Sequence, residues 1–115
     1  MNIYHYETAG GKDLILEYVD GLPKKERAEG LTILSRLEND GLYVLKVLNT
    51  RQLKKKLWEI KFCGNNRIMY VIVDEENMYL IHACKKQKNK TERFELDTCF
   101  RRVKELEEKL GRKLL

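Results

Sequence analysis

The sequence predicts an α+β fold: a small antiparallel-meander sheet with two N-terminal helices and one C-terminal helix. Three observations predict it. Three strand-like runs, LWEIKF, NRIMYVIV and MYLIHAC, follow one another between Leu57 and Cys84. The turns between them, Gly64-Asn65-Asn66 and Asp74 to Asn77, are too short for parallel crossovers, so the runs must pair antiparallel. On either side of this block, apolar residues recur three or four apart, the spacing of amphipathic helices.

Residues 2 to 7, NIYHYE, alternate as a short strand, with Ile3 and His5 on one side and Tyr4 and Tyr6 on the other. Gly10-Gly11 break it. Asp13 can cap a helix carrying Leu14, Ile15, Tyr18 and Val19. Gly21 ends that helix, and Pro23 suits the first turn of the next. The second helix places Ala28, Leu31, Leu34 and Leu37 on one stripe and stops at Asn39-Asp40-Gly41. LYVLKVL, which follows, reads equally as a strand or a turn of helix, and RQLKKK, with Arg51, Lys54, Lys55 and Lys56, equally as a solvated connection or a phosphate-gripping run. From Leu57 the alternation is clear: Trp58, Ile60 and Phe62 share one face, Glu59 and Lys61 the other. The last helix carries Leu96, Cys99, Phe100, Val103, Leu106 and Leu110 and closes at Gly111. The first strand is expected to join the meander. All helices are expected on one face, leaving the other open, polar and basic.

A chain of 115 residues with 43 per cent hydrophobic residues suits one domain, 1–115, with one modest core. No run approaches a membrane span, and the N-terminus lacks the basic and apolar regions of a signal peptide. Cys63, Cys84 and Cys99 are odd in number and have no CxxC spacing. They read as buried thiols of a cytoplasmic protein, not a disulfide frame or a metal site. No cofactor motif occurs; Gly10-Gly11 is not a phosphate loop. His82 inside an apolar strand reads as a hydrogen-bonded core residue. Tyr70 and Tyr79 read as packing residues rather than base-stacking ones.

The net charge of +5 favours an acidic partner, and RNA is the abundant intracellular polyanion. Positive charge gathers in two places. Lys54, Lys55 and Lys56 precede the first meander strand; Lys85, Lys86, Lys88, Lys90 and Arg93 follow the last. Lys61 and Arg67 should lie close across the first hairpin, and Lys85 or Lys86 would complete a basic triangle. Cations crowded on one sheet face repel unless an anion visits. Phosphodiester cleavage uses such groups. One takes the proton of a ribose 2′-OH, one stabilises charge on the five-coordinate phosphorus, and one serves the leaving 5′-oxygen. Arginine suits the second role. A lysine among cations suits the first, and so does Glu59, which reads equally as a structural partner of Arg67.

Four short motifs add a resemblance: Leu57-Trp58-Glu59-Ile60-Lys61-Phe62, Arg67-Ile68-Met69-Tyr70, His82-Ala83-Cys84-Lys85-Lys86 and Lys90-Thr91. In order and spacing the chain resembles the RelE superfamily of toxins from type II toxin–antitoxin pairs, most of all its phage-derived HigB-like branch. Cys84 stands where that branch usually has Phe, Glu92 where Pro follows Lys-Thr, and the Gln87-Lys88-Asn89 spacer is one residue longer. The resemblance implies a RelE-like (microbial-RNase-like) fold. It also implies a ribosome-dependent mRNA endonuclease that enters the A site, cuts by 2′-OH attack without a metal, and is restrained by a helix-turn-helix antitoxin. By carry-over, Lys61 and Arg67 handle the phosphate, Lys86 belongs to the basic strand end, and Glu59 is a recurrent acid. Lys54, Lys55, Lys56, Lys85, Lys88, Lys90 and Arg93 would grip RNA. Two other classes fit the same residues: a non-catalytic nucleic-acid-binding module, and a toxin-fold protein acting only through protein–protein contacts.

Overall fold

A computed structural model describes residues 1–87 and 92–115. The elements are β1 (Asn2–His5), α1 (Leu14–Asp20), α2 (Lys24–Asp40), a 3-10 helix (Gly41–Lys46), β2 (Asn49–Lys54), β3 (Leu57–Phe62), β4 (Asn66–Ile72), β5 (Asn77–Lys85) and α3 (Arg93–Leu110). The strands form one sheet in the order β1-β5-β4-β3-β2. β2 to β5 are an antiparallel meander, and β1 joins at the far edge, parallel to β5. The ambiguous segment after α2 splits into the 3-10 turn and a fifth strand. RQLKKK is therefore not a connection: Arg51 to Lys54 lie within β2, and Lys55-Lys56 make the turn.

Helix α1 begins where the sequence places it. Asp13 accepts from the backbone N–H of Ile15 and Leu16, and its second carboxylate oxygen takes His5 Nδ1 at 2.8 Å. The buried stripe of α2 is Gly30, Ile33, Leu34 and Leu37. Ala28 and Leu31, expected inside, face solvent, and Gly30 and Ile33 take their place in the stripe. The unexpected member, Gly30, marks a close approach. A Cβ there would lie 2.9 Å from Val19 Cγ1 and 3.2 Å from Phe62 Cε2, so the missing side chain sets how closely α2 approaches α1 and β3. Gly30→Leu is expected to lower stability by about 2 kcal/mol or more through overpacking, despite the better helix propensity. Equilibrium urea unfolding checks this.

The expectation that all helices share one face is corrected. Trp58, Ile60, Phe62, Ile68, Tyr70, Met78 and Leu80 pack with α1 and α2 on one side of the sheet. Leu57, Met69, Val71, Ile81 and Cys84 form a second apolar surface on the other, which receives Cys99, Val103 and Leu106 of α3. The physical reason is β4. It is the middle strand and its residues from Asn66 to Val71 are all buried, so both faces need a cover. The C-terminal tail folds back as well: the N–H groups of Leu114 and Leu115 donate to Glu107 Oε2, and Leu114 is buried.

A β-bulge in β5 decides where the charges go. Met69 pairs with His82 but Tyr70 pairs with Leu80, leaving Ile81 as the extra residue. Before the bulge, Tyr79 and Ile81 point to the α3 side; after it, His82, Cys84 and Lys86 do. Lys85 consequently lands on the α1–α2 side, where its Nζ meets Glu26 Oε1 at 3.1 Å. There it joins a polar network beneath the β3–β4 corner. Asn66, fully buried, accepts from Tyr18 Oη at 2.5 Å and donates through Nδ2 to Glu26 Oε1 at 2.7 Å and to the Cys63 carbonyl at 3.1 Å. The bonds from Asn66 and Lys85 hold the Glu26 carboxyl below its ordinary value of 4.5. A depressed carboxylate adds stability above the unfolded value and loses it as pH falls through the folded one. The acid limb of the stability–pH curve below 4.5 is therefore expected to be shallower in Glu26→Gln than in the wild type, as urea midpoints taken across that range would show.

Candidate active site

On the α3 side, beyond the end of the helix's apolar stripe, β2, β3 and β4 present adjacent polar residues in register. Arg51 pairs with Glu59, Asn49 with Lys61, and Lys61 with Arg67. These five line an open cavity of about 260 Å³. Glu59 is its centre. One carboxylate oxygen, Oε2, lies 2.9 Å from Lys86 Nζ, 3.1 Å from Arg51 Nη2 and 3.6 Å from Arg67 Nε. Glu59, Arg67 and Lys86 are each less than 5 per cent exposed, whereas the Arg51 side chain is half in solvent. Arg67 is held a second time: its Nη1 donates to the carbonyls of Asn66 and Gly64. Cys63 and Gly64, both at positive φ, turn the chain sharply enough to bring the Gly64 carbonyl there. Removal from water pulls the Lys86 ammonium below its usual range; Glu59 opposes that shift, and Arg51 and Arg67 add to it.

The four residues proposed for chemistry, Lys61, Arg67, Lys86 and Glu59, thus lie together, and the Lys61–Arg67 juxtaposition across the hairpin is as expected. Their setting differs from the expectation. The basic triangle is not an open solvated face but a largely buried ionic cluster around one carboxylate. Lys61 alone of the four is half-exposed, and it makes no ion pair with a described residue. Arg51 is the member that the sequence offered only as part of the basic run RQLKKK and did not assign to the site. With β2 unrecognised, nothing revealed that Arg51 has the parity of Glu59. In the structure Asn49 and Arg51 alternate with the half-buried Thr50.

The residues expected to grip RNA are dispersed. Lys54 lies over the Phe100 ring at 5.1 Å. Lys55 and Lys56 occupy the β2–β3 turn, about 10 Å along β3 from Glu59. Lys85 is on the opposite face. Arg93 opens α3 and pairs with Asp97 one turn on, at 3.1 Å. Lys88 and Lys90 lie outside the described residues.

Next to the cluster, in the same β5 column as Lys86, His82 and Cys84 meet Glu95 of α3. One donor atom from each lies within 4.8 Å of the others, a grouping that sequence spacing did not suggest. Their bonding shows what holds them. Arg102 Nη1 donates to His82 Nδ1 at 3.0 Å, and a guanidinium has no acceptor, so the neutral ring carries its proton on Nε2. That proton faces Glu95 Oε2 at 3.3 Å. The Cys84 thiol also donates to Glu95, and burial, more than that bond, pushes its pKa up. Burial likewise lowers the His82 pKa. A cation at Nε2 would need the ring proton on Nδ1, where Arg102 sits. The trio is therefore a self-satisfied hydrogen-bonded set, and His82 is the bonded interior residue its sequence context predicted. Tyr70 is buried and Tyr79 stacks on Tyr4 at 4.6 Å, both as packing residues. Cys84 and Cys99 are buried free thiols, and Cys63 is a half-buried one. Among the described residues no helix is long and apolar enough to cross a membrane.

No curated protein matches this chain. The family model described as Phage derived protein Gp49-like (DUF891) matches residues 17–104, a span from α1 to α3 that contains Arg51, Glu59, Lys61, Arg67 and Lys86. The match covers well over half of the sequence, so the chain belongs to the Gp49-like family of phage-derived proteins, a RelE-like, toxin-like family.

Proposed function

We propose that this protein is the toxin of a type II toxin–antitoxin pair, of the HigB-like branch, and that it cleaves mRNA in the ribosomal A site. The observation that carries the reading is the cluster at Glu59. Lysine and arginine side chains from β2, β3, β4 and the end of β5 converge beside a cavity that admits a phosphodiester, with positive charge in excess of the carboxylate between them. Such a site attracts and orients a phosphate before any chemistry.

The roles follow from reach. Glu59 Oε2 already faces three cations, so Glu59 serves as their fixed counter-ion and Lys86 as the buried member that holds it. Arg67 and Arg51 line the cavity and take the non-bridging phosphate oxygens, where guanidinium groups grip in pairs and stay charged. Lys61 is the group proposed to take the proton of the ribose 2′-OH. The 2′-oxygen attacks phosphorus, the bond to the 5′-oxygen breaks, and that oxygen takes a proton from water as it leaves, while Lys61 returns the proton it took to solvent. The products are a 2′,3′-cyclic phosphate and a 5′-hydroxyl. The partners implied are mRNA, the ribosome and a helix-turn-helix antitoxin.

The test is purified protein with a defined mRNA, with and without programmed ribosomes, mapping the new 3′ ends. Cuts within the A-site codon only when ribosomes are present support the proposal. Salt-sensitive RNA or ribosome binding by folded protein, without cuts, would replace it with a non-catalytic binding module. Neither cleavage nor RNA binding would leave a toxin fold that acts through protein contacts.

A further inference from the structure

The polar network under the β3–β4 corner joins the cavity through one residue. Asn66 belongs to both sides of the sheet. Its side chain is on the α1–α2 face, where Tyr18, Glu26 and the Cys63 carbonyl satisfy its amide. Its main-chain carbonyl accepts from Arg67 Nη1 at 3.1 Å on the other face. The Gly64 carbonyl, the second anchor of Nη1, belongs to the same corner, and that corner is pinned again where Lys86 N–H donates to the Asn65 carbonyl at 2.8 Å. Arg67 Nε is buried with no hydrogen-bond acceptor in range, so little but these two carbonyls and the Glu59 charge fixes the plane of the guanidinium.

We infer that Asn66, buttressed by Tyr18 and Glu26, is a positioning residue that sets the orientation of the Arg67 guanidinium at the cavity. Asn66 is 0 per cent exposed and cannot touch a substrate; it acts only through Arg67. The side chain fits the position because it supplies two donors and an acceptor at once, to a carbonyl, a carboxylate and a phenol on three separate segments. Leucine would bury there with the same volume and hold none of them. A misplacement of Arg67 of about 1 Å costs on the order of 100-fold in rate when orientation carries catalysis.

The inference rests on Arg67 being the phosphate-binding residue, and the test separates the two. Tyr18→Phe removes only the bond to Asn66 Oδ1 and is the variant that keeps the fold; Asn66→Ala is its stronger companion. Two readouts are taken on each: single-turnover cleavage on programmed ribosomes, and the 1H–15N signal of Arg67 Nε–H, whose burial makes it slow to exchange with water. Tyr18→Phe is expected to lower the cleavage rate constant several-fold and Asn66→Ala about 100-fold. Apparent affinity should stay unchanged, and the Arg67 signal should shift or exchange faster. In an Arg67→Ala background, Tyr18→Phe should depress Tm as before but have no further effect on rate, the non-additivity of residues that act through one another. A Tyr18→Phe protein with lowered Tm but unchanged rate and unchanged Arg67 signal would reduce the network to a structural one and overturn the inference. If the wild type does not cleave at all, the functional reading falls, and the Arg67 signal alone decides positioning. A moved signal sustains it, and an unmoved one overturns it.

Discussion

Glu59→Gln is expected to destabilise the fold by about 3–5 kcal/mol, the cost of breaking a buried ion pair by removing one partner. The substitution keeps the shape and an oxygen that accepts hydrogen bonds. It removes the charge that compensates Lys86 and Arg67, whose side chains are 1 and 2 per cent exposed. Lys86 Nζ and Arg67 Nε lie 2.9 and 3.6 Å from the same oxygen, and two unit charges this crowded repel by up to roughly 4 kcal/mol at the effective dielectric of a protein site. Lys86 can relieve part of this by releasing its proton, which burial already favours. Thermal unfolding should show a Tm lower by on the order of 10–20 °C. Inorganic phosphate should restore more stability to the variant than to the wild type, since an anion in the cavity takes over the lost charge. A Tm within a few degrees of wild type, with no added response to phosphate, would mean that the cluster is neutralised by other means.

Arg67→Ala is expected to lower cleavage by about 100- to 1000-fold, the range seen when one preorganised donor to a developing anion is removed. Growth inhibition should vanish with it. The fold should survive better than in Glu59→Gln, because Glu59 keeps Arg51 and Lys86 as partners. Arg67→Lys sharpens the test. It keeps the charge but not the two-pronged geometry or the Nη1 anchors at the Asn66 and Gly64 carbonyls, so most of the activity should still be missing. Equal toxicity of soluble Arg67→Ala and wild type, with matched expression, would remove Arg67 from the chemistry and the Glu59 cluster from the reading.

Several parts of this fold were legible because local chemistry suffices to specify them. Asp13 caps α1 through its own backbone neighbourhood. Gly111, at φ +67, ends α3 where only a residue without Cβ sits easily. The period of two in LWEIKF separates Trp58, Ile60 and Phe62 from Glu59 and Lys61, and β3 keeps that separation. The side chosen by α3 was legible too, in a signal read too narrowly. NRIMYVIV is a nearly continuous apolar run, the mark of a strand covered on both faces. β2 was hidden for a different reason. Asn49, Arg51, Gln52 and Lys54 are exposed, so an edge strand of this composition carries almost no hydrophobic pattern and exists because β3 offers it a ladder.

The sequence by itself determined the α+β class, the meander and its turns, the helix limits near Asp13 and Gly111, and the pairing of Lys61 with Arg67, since each depends on residues close in the chain. Tertiary structure decided which lysine belongs to the site. Lys85 and Lys86 are chemically alike and adjacent, and strict alternation from Tyr79 and Ile81 would have sent Lys85 to the cavity. The extra residue at Ile81 reverses that parity, puts Lys86 on Glu59, and leaves Lys85 to Glu26. A bulge is a property of the register between two strands, fixed by how both faces of β4 pack at once, and a single strand read alone does not contain it.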